Sequence, residues 1–130
     1  MIDPNPASAQ STSRSDAALV VSKAVVRAAE ILGINNIALA KILGISQASA
    51  SRLRDGTYVI PPDSKPYELA LLLIRLFRSL DAMMGGEEPS LRSWMSVSNS
   101  ALRGVPRNLV TSITGLVEAV AYVDAARARL

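Results

Sequence analysis

A short polar stretch of the sequence carries side chains that are suited to reading DNA. They are Ser46, Gln47, Ser49, Ser51, Arg52 and Arg54. A glutamine amide can form paired hydrogen bonds with an adenine edge, a serine hydroxyl can bond bases or phosphates, and an arginine can bind guanine or a phosphate. A serine-rich helix on its own is more often simply solvated, so the interpretation depends on the elements that position these side chains.

The residues around this stretch have the pattern of a helix-turn-helix, from about residue 35 to residue 53. The motif needs a small residue where its two helices approach, which is Ala40, and a residue that tolerates a positive φ in the turn, which is Gly44. Ser46 can cap the second helix through its hydroxyl. The apolar residues that would lock the two helices together are Leu39, Leu43, Ile45, Ala50 and Leu53. The pattern predicts a DNA-binding helix-turn-helix, and the alternative is a plain helical hairpin that does not bind DNA.

The rest of the chain predicts an all-α protein. Apolar residues make up 49% of the sequence and aromatic residues only 4%, which favours a helical core built from aliphatic side chains. Gly33 ends a first helix, a proline-containing linker covers residues 57–66, an apolar helix follows over residues 66–84, and Thr114 is placed to cap the last helix. We expect a disordered N-terminal arm (1–15), a helix-turn-helix DNA-binding domain (16–60) and a second small helical domain (61–130).

The composition excludes much of enzyme chemistry. The sequence has no cysteine and no histidine, which removes thiol nucleophiles, imidazole bases and the usual zinc ligands. The 11 acidic residues are scattered along the chain, and the net charge of +3 permits phosphate binding without requiring it. We therefore expect a protein that is not an enzyme and that uses no cofactor and no metal.

Nothing in the sequence indicates export or insertion into a membrane. The first residues are polar, unlike a secretory signal, and the most apolar run, residues 69–74, is too short to span a bilayer. We expect a cytoplasmic protein without membrane contact.

Two stretches of the sequence resemble one known family. Residues 32–56 resemble the DNA-binding half of Xre-type antitoxins, and residues 94–127 resemble the toxin-binding half of the Xre/MbcA/ParS class. The most distinctive part is the pattern W-x(4)-N-x(2)-L-x-G-x-P, which falls on Trp94, Asn99, Leu102, Gly104 and Pro106. Trp94 and Leu102 are also ordinary core residues by type, and for Trp94 the core is the better interpretation.

The resemblance implies an antitoxin that binds a cognate RES-domain toxin, an NAD-degrading enzyme, blocks its active site and represses its own operon. It also implies that the C-terminal region reaches into the toxin's NAD cleft. The candidate toxin-binding residues are Arg103, Arg107, Asn108, Arg127, Arg129 and Leu130. A stand-alone dimeric regulator without a toxin partner is the alternative.

A homodimer is expected in either case. The apolar helix over residues 66–84 exceeds the needs of one small core, so we expect the C-terminal half to provide the dimer interface. Two-fold symmetry would then match a palindromic operator.

Overall fold

The computed structural model describes residues 6–129, and the side chains of residues 13–129. The fold of the described part of the chain belongs to the all-α class, as predicted. Its elements are α1 (Pro6–Leu32), α2 (Asn36–Leu43), α3 (Gln47–Asp55), α4 (Lys65–Met84), α5 (Glu88–Ser96), α6 (Pro106–Leu109) and α7 (Ile113–Ala128).

Helix α1 begins earlier than the sequence predicted. Residues 6–15, which we assigned to a disordered arm, belong to this helix, and residues 1–5 of the same arm lie outside the described residues. Pro6 is compatible with a first helical position, and Arg14 forms an ion pair with Asp63 that ties this part of the helix to the linker before α4. The helix ends as predicted at Gly33, whose φ is +73°.

The helix-turn-helix is formed by α2 and α3, and local capping explains its boundaries. The Asn35 side chain accepts a 2.8 Å hydrogen bond from the Ala38 amide and starts α2. Gly44 ends α2 with φ +70°, and the Ser46 hydroxyl then accepts a 3.0 Å bond from the Ser49 amide to start α3. The predicted turn and the predicted serine cap are both confirmed.

The linker between α3 and α4 follows the surface of α1. Ile60 is fully buried, and its amide donates a 3.0 Å hydrogen bond to the hydroxyl of Ser22, which is itself buried on α1. A buried backbone amide without a partner would destabilise the fold. The linker is therefore fixed at Ile60.

Helix α4 is central, and most of its large apolar side chains are buried or half-buried within one chain, while Leu71 is 45% exposed. The helix packs against α1, α2, α5 and α7, and it buries Leu73, Leu76 and Leu80 completely. One hydrophobic core therefore includes residues of both predicted domains. The apolar content of α4 is explained by this core and does not by itself require a second copy of the chain.

The C-terminal part consists of the short helices α5 and α6 followed by the longer helix α7. Ser112 caps α7, because its hydroxyl accepts a 3.0 Å hydrogen bond from the Gly115 amide. The prediction that Thr114 caps this helix was wrong by two positions: Thr114 already lies within α7. None of the described helices is long and apolar enough to cross a membrane.

Candidate functional site

The recognition helix α3 exposes a polar face. Gln47, Ser51 and Arg52 are exposed, and Gln47 and Ser51 are four residues apart, so they lie on one side of the helix. The buried residues of α3 are Ala50 and Leu53, which hold its other side against the core. An amide, a hydroxyl and a guanidinium of α3 are thus exposed to solvent.

Two serines of the predicted DNA-binding set already form hydrogen bonds with each other. The Ser46 hydroxyl accepts from the Ser49 amide and donates to the Ser49 hydroxyl at 3.0 Å. Ser49 is half-buried. These two residues therefore stabilise the start of α3. Within the predicted set, the exposed side chains that form no such bond are those of Gln47, Ser51 and Arg52.

Arg54 occupies a different position from the other predicted DNA-binding residues. It is half-buried, and its Nη2 donates a 2.9 Å hydrogen bond to the carbonyl oxygen of Ile34, just before α2. Its Nε is buried without a hydrogen-bond partner. The structure places Arg54 as a brace between α3 and the entry to α2.

The residues of the C-terminal sequence pattern form a closed loop. The Asn99 amide donates to the Gly104 carbonyl at 2.8 Å, the Gly104 amide donates back at 3.2 Å, and the Asn99 side chain accepts a 3.1 Å bond from the Leu102 amide. Trp94 and Leu102 are half-buried and pack against the core. These residues shape the loop, and they present the exposed Arg103 at its tip with φ +63°.

The predicted toxin-binding residues do not come together in one place. Arg107 and Asn108 are exposed on α6 and border a groove shared with α2. Arg127 is exposed near the end of α7 and borders a separate groove with Arg78. Arg129 is exposed one residue beyond α7. Leu130 lies outside the described residues.

The sequence reasoning missed two cationic residues that the fold makes prominent. Lys41 is exposed on α2 and borders the same groove as Arg107. Arg92 on α5 donates from Nε to the Ile31 carbonyl and from Nη2 to the Glu30 carbonyl, both at 3.1 Å. The sequence offered a signal only for Lys41, which is the one charged residue in the α2 segment.

The fold and the exposed face of α3 define a helix-turn-helix protein with a second helical domain that shares its core. Residues 12–75 match the family model of the antitoxin Xre-like helix-turn-helix domain, and residues 79–129 match that of the antitoxin Xre/MbcA/ParS C-terminal toxin-binding domain. The chain belongs to the Xre-type antitoxins. No curated protein sequence matches the chain significantly.

The boundary between the two family matches lies within α4, between residues 75 and 79. The sequence analysis predicts a domain boundary at residue 60, before α4. Because α4 contributes to one core shared by both halves, the helix belongs to both.

Proposed function

We propose that this antitoxin binds and neutralises a cognate RES-domain toxin that degrades NAD, by blocking the toxin's active site, and that it represses its own operon through the helix-turn-helix. The observation that supports this most directly is the order of the two family matches, a DNA-binding domain followed by a toxin-binding domain on one chain. The RES identity of the toxin and its NAD chemistry rest on the resemblance of residues 32–56 and 94–127 to such antitoxins. The protein would act in the cytoplasm, where operator DNA and NAD are both present.

The DNA-binding part of the proposal assigns base reading to the exposed face of α3. The second helix of a helix-turn-helix enters the major groove and contacts base edges with its N-terminal residues. Gln47 is the first residue of α3 and is exposed, which supports the proposal that its amide reads adenine, and the exposed Arg52 would bind guanine or a phosphate.

The toxin-binding part assigns active-site blockage to the end of the chain. Arg127 and Arg129 are exposed, and neither forms an ion pair within the part of the chain that the structure describes. Their guanidiniums would pair with acidic groups of the toxin, and Leu130 would follow them into the cleft. Arg103 on the 99–104 loop would add a contact outside the cleft.

The proposal includes a homodimer formed through the C-terminal half. Helix α7 leaves Ile113 and Val117 largely exposed, at 58% and 48%, one turn apart on one side. Light scattering at micromolar concentration, with and without operator DNA, measures the assembly. A monomer under both conditions would contradict this part.

The toxin interaction is tested with the product of the neighbouring reading frame. If that product carries a RES domain, the toxin alone should deplete NAD, and an equimolar amount of this chain should abolish the depletion and co-purify with the toxin. A stand-alone regulator would bind DNA but would neither co-purify nor protect NAD.

The DNA interaction is tested separately, without toxin. The probe is a duplex that covers the DNA immediately upstream of the chain's own reading frame, and the variant is the double substitution Gln47→Ala, Arg52→Ala. The charge-matched control is Arg78→Gln, because Arg78 is exposed on α4 and takes no part in the helix-turn-helix. Unchanged binding by the double variant would show that α3 does not read the DNA.

A further inference from the structure

A groove between the two halves of the protein combines cationic and polar side chains from both. It has a volume of about 340 Å³. The helix-turn-helix contributes Asn35 and Lys41 to its border, and the α6 region contributes Arg107, Asn108 and Thr111. The sequence places Lys41 and Arg107 far apart, and only the packed fold brings them to one groove.

The groove is suited to an anion by its charge. Lys41 and Arg107 are both exposed, no acidic side chain borders the groove, and neither cation forms an ion pair among the described residues. Two cations that share a border without a counter-ion repel each other, and a bound phosphate would remove this repulsion.

The position of the groove on α2 indicates which anion. In a helix-turn-helix bound to DNA, the first helix of the motif crosses the phosphate backbone while the second lies in the major groove. Helix α2 is that first helix, and Lys41 lies on its exposed side. A DNA backbone strand that passed α2 along this groove would therefore also lie close to Arg107 and Asn108.

We propose that Arg107 and Asn108, together with Lys41, bind phosphates of the DNA backbone beside the bases read by α3. The C-terminal domain then contributes directly to DNA binding, and two residues that the sequence assigned to the toxin belong to the DNA surface. This inference rests on the proposed function of the helix-turn-helix. It adds to that function a second, sequence-independent contact made by the other half of the molecule.

A phosphate contact has a measurable signature in salt dependence. Each phosphate neutralised by a cation adds about −0.9 to the slope of log Kobs against log salt concentration. Arg107→Gln should remove one such contact and weaken binding to the upstream duplex and to a shuffled duplex by the same factor. Between about 50 mM and 200 mM salt, the parent should lose about 3- to 4-fold more affinity than the variant, because the salt concentration changes fourfold.

The experiment compares Arg107→Gln and Lys41→Gln with the charge-matched control Arg78→Gln, by fluorescence anisotropy on both duplexes over a series of salt concentrations. Thermal melts followed by circular dichroism establish that each variant is folded. Lys41→Gln should act like Arg107→Gln, while Arg78→Gln should retain the slope of the parent.

Several outcomes would overturn the inference. If Arg107→Gln keeps the affinity and slope of Arg78→Gln, the groove does not contact phosphates. If Arg107→Gln keeps DNA binding but loses the toxin in a pull-down, the groove is a toxin surface. These results differ from failure of the proposed DNA function, in which the parent protein binds neither duplex or the α3 double variant binds as well as the parent.

Discussion

Arg54 on the recognition helix donates a 2.9 Å hydrogen bond from Nη2 to the carbonyl oxygen of Ile34, the residue that connects α1 to the helix-turn-helix. Arg52, two positions earlier, is exposed and has no such partner within the described part of the chain. Two arginines of the same helix thus have separate roles. Arg54 is bonded to the entry of the motif, and the guanidinium of Arg52 is exposed to solvent.

Arg54→Ala should therefore lower the free energy of unfolding by about 1.5–3 kcal/mol, the range for a hydrogen bond from a charged group. Arg52→Ala should change stability by less than about 0.5 kcal/mol and should weaken DNA binding by about 1–3 kcal/mol if Arg52 reads a base. Urea unfolding and DNA titration of both variants separate the roles. An Arg54→Ala protein with the stability of the parent and weakened DNA binding would reverse the assignment.

Arg92 connects the toxin-binding half to the helix-turn-helix half by a helix cap. Its side chain donates two hydrogen bonds to carbonyls in the last turn of α1, those of Glu30 and Ile31. The last carbonyls of a helix lack partners within the helix, although that of Glu30 also accepts a 3.2 Å bond from the Gly33 amide. Arg92→Ala should destabilise the protein by about 1 kcal/mol, since Arg92 is exposed and water replaces part of the interaction.

The matched control for Arg92→Ala is Ser93→Ala, a substitution at the neighbouring exposed position on α5. Hydrogen exchange should detect faster opening at the end of α1 in Arg92→Ala alone. Equal stability and equal exchange in the two variants would mean that the cap contributes nothing.

Gly115 is required by close packing at the start of α7. A Cβ at this position would lie 1.9 Å from the carbonyl oxygen of Leu109 and 2.7 Å from its carbonyl carbon, both of them backbone atoms. Gly115→Ala should therefore force α6 and α7 apart and cost more than about 2 kcal/mol of stability.

Gly85 provides the comparison for Gly115. Its φ is +63°, but a Cβ there would meet nothing within 4 Å, so Gly85→Ala should cost only about 1–2 kcal/mol of backbone strain. Thermal melts of the two variants measure the difference. If Gly115→Ala melts at a higher temperature than Gly85→Ala, the close approach at Leu109 is not a constraint.

Local chemistry made the helix-turn-helix predictable. Gly44 ends α2 and Ser46 starts α3 through bonds to residues at most four positions away, so the sequence pattern contains all the information that these boundaries need. The same reasoning placed the cap of α7 on Thr114 instead of Ser112, because two hydroxyl residues two positions apart fit the pattern about equally well. Which of the two hydroxyls caps α7 depends on the path of the chain between α6 and α7.

The features that escaped prediction depend on contacts between distant parts of the chain. The direction of Arg54 depends on where Ile34 lies, and the groove that joins Lys41 to Arg107 exists only when α6 packs near α2. The start of α1 before Asp16 also involves a contact between distant parts of the chain, since Arg14 pairs with Asp63 of the linker. No periodicity or motif within one segment encodes such pairings, so the sequence could propose site residues by their type but could not predict which of them the fold brings together.

The chain end offers the sharpest test of how the toxin is neutralised. Val123 is the last fully buried residue of α7, so deletion of residues 126–130 removes Arg127, Arg129 and Leu130 without opening the core. The truncated protein should keep its melting temperature and its affinity for the upstream duplex. If the proposed function is correct, it should lose protection of NAD against the toxin, because the two guanidiniums and Leu130 would no longer reach the toxin's active site.

A second variant, Arg127→Gln with Arg129→Gln, separates charge from length, since it keeps the chain end and removes only the two cations. Partial loss of protection in this variant and complete loss in the truncation would assign part of the blockage to the arginines. NAD consumption is measured at equimolar toxin and antitoxin. If the truncated protein still abolishes NAD loss, the toxin is held by the broader helix surface, and the end of the chain is not the part that blocks the active site.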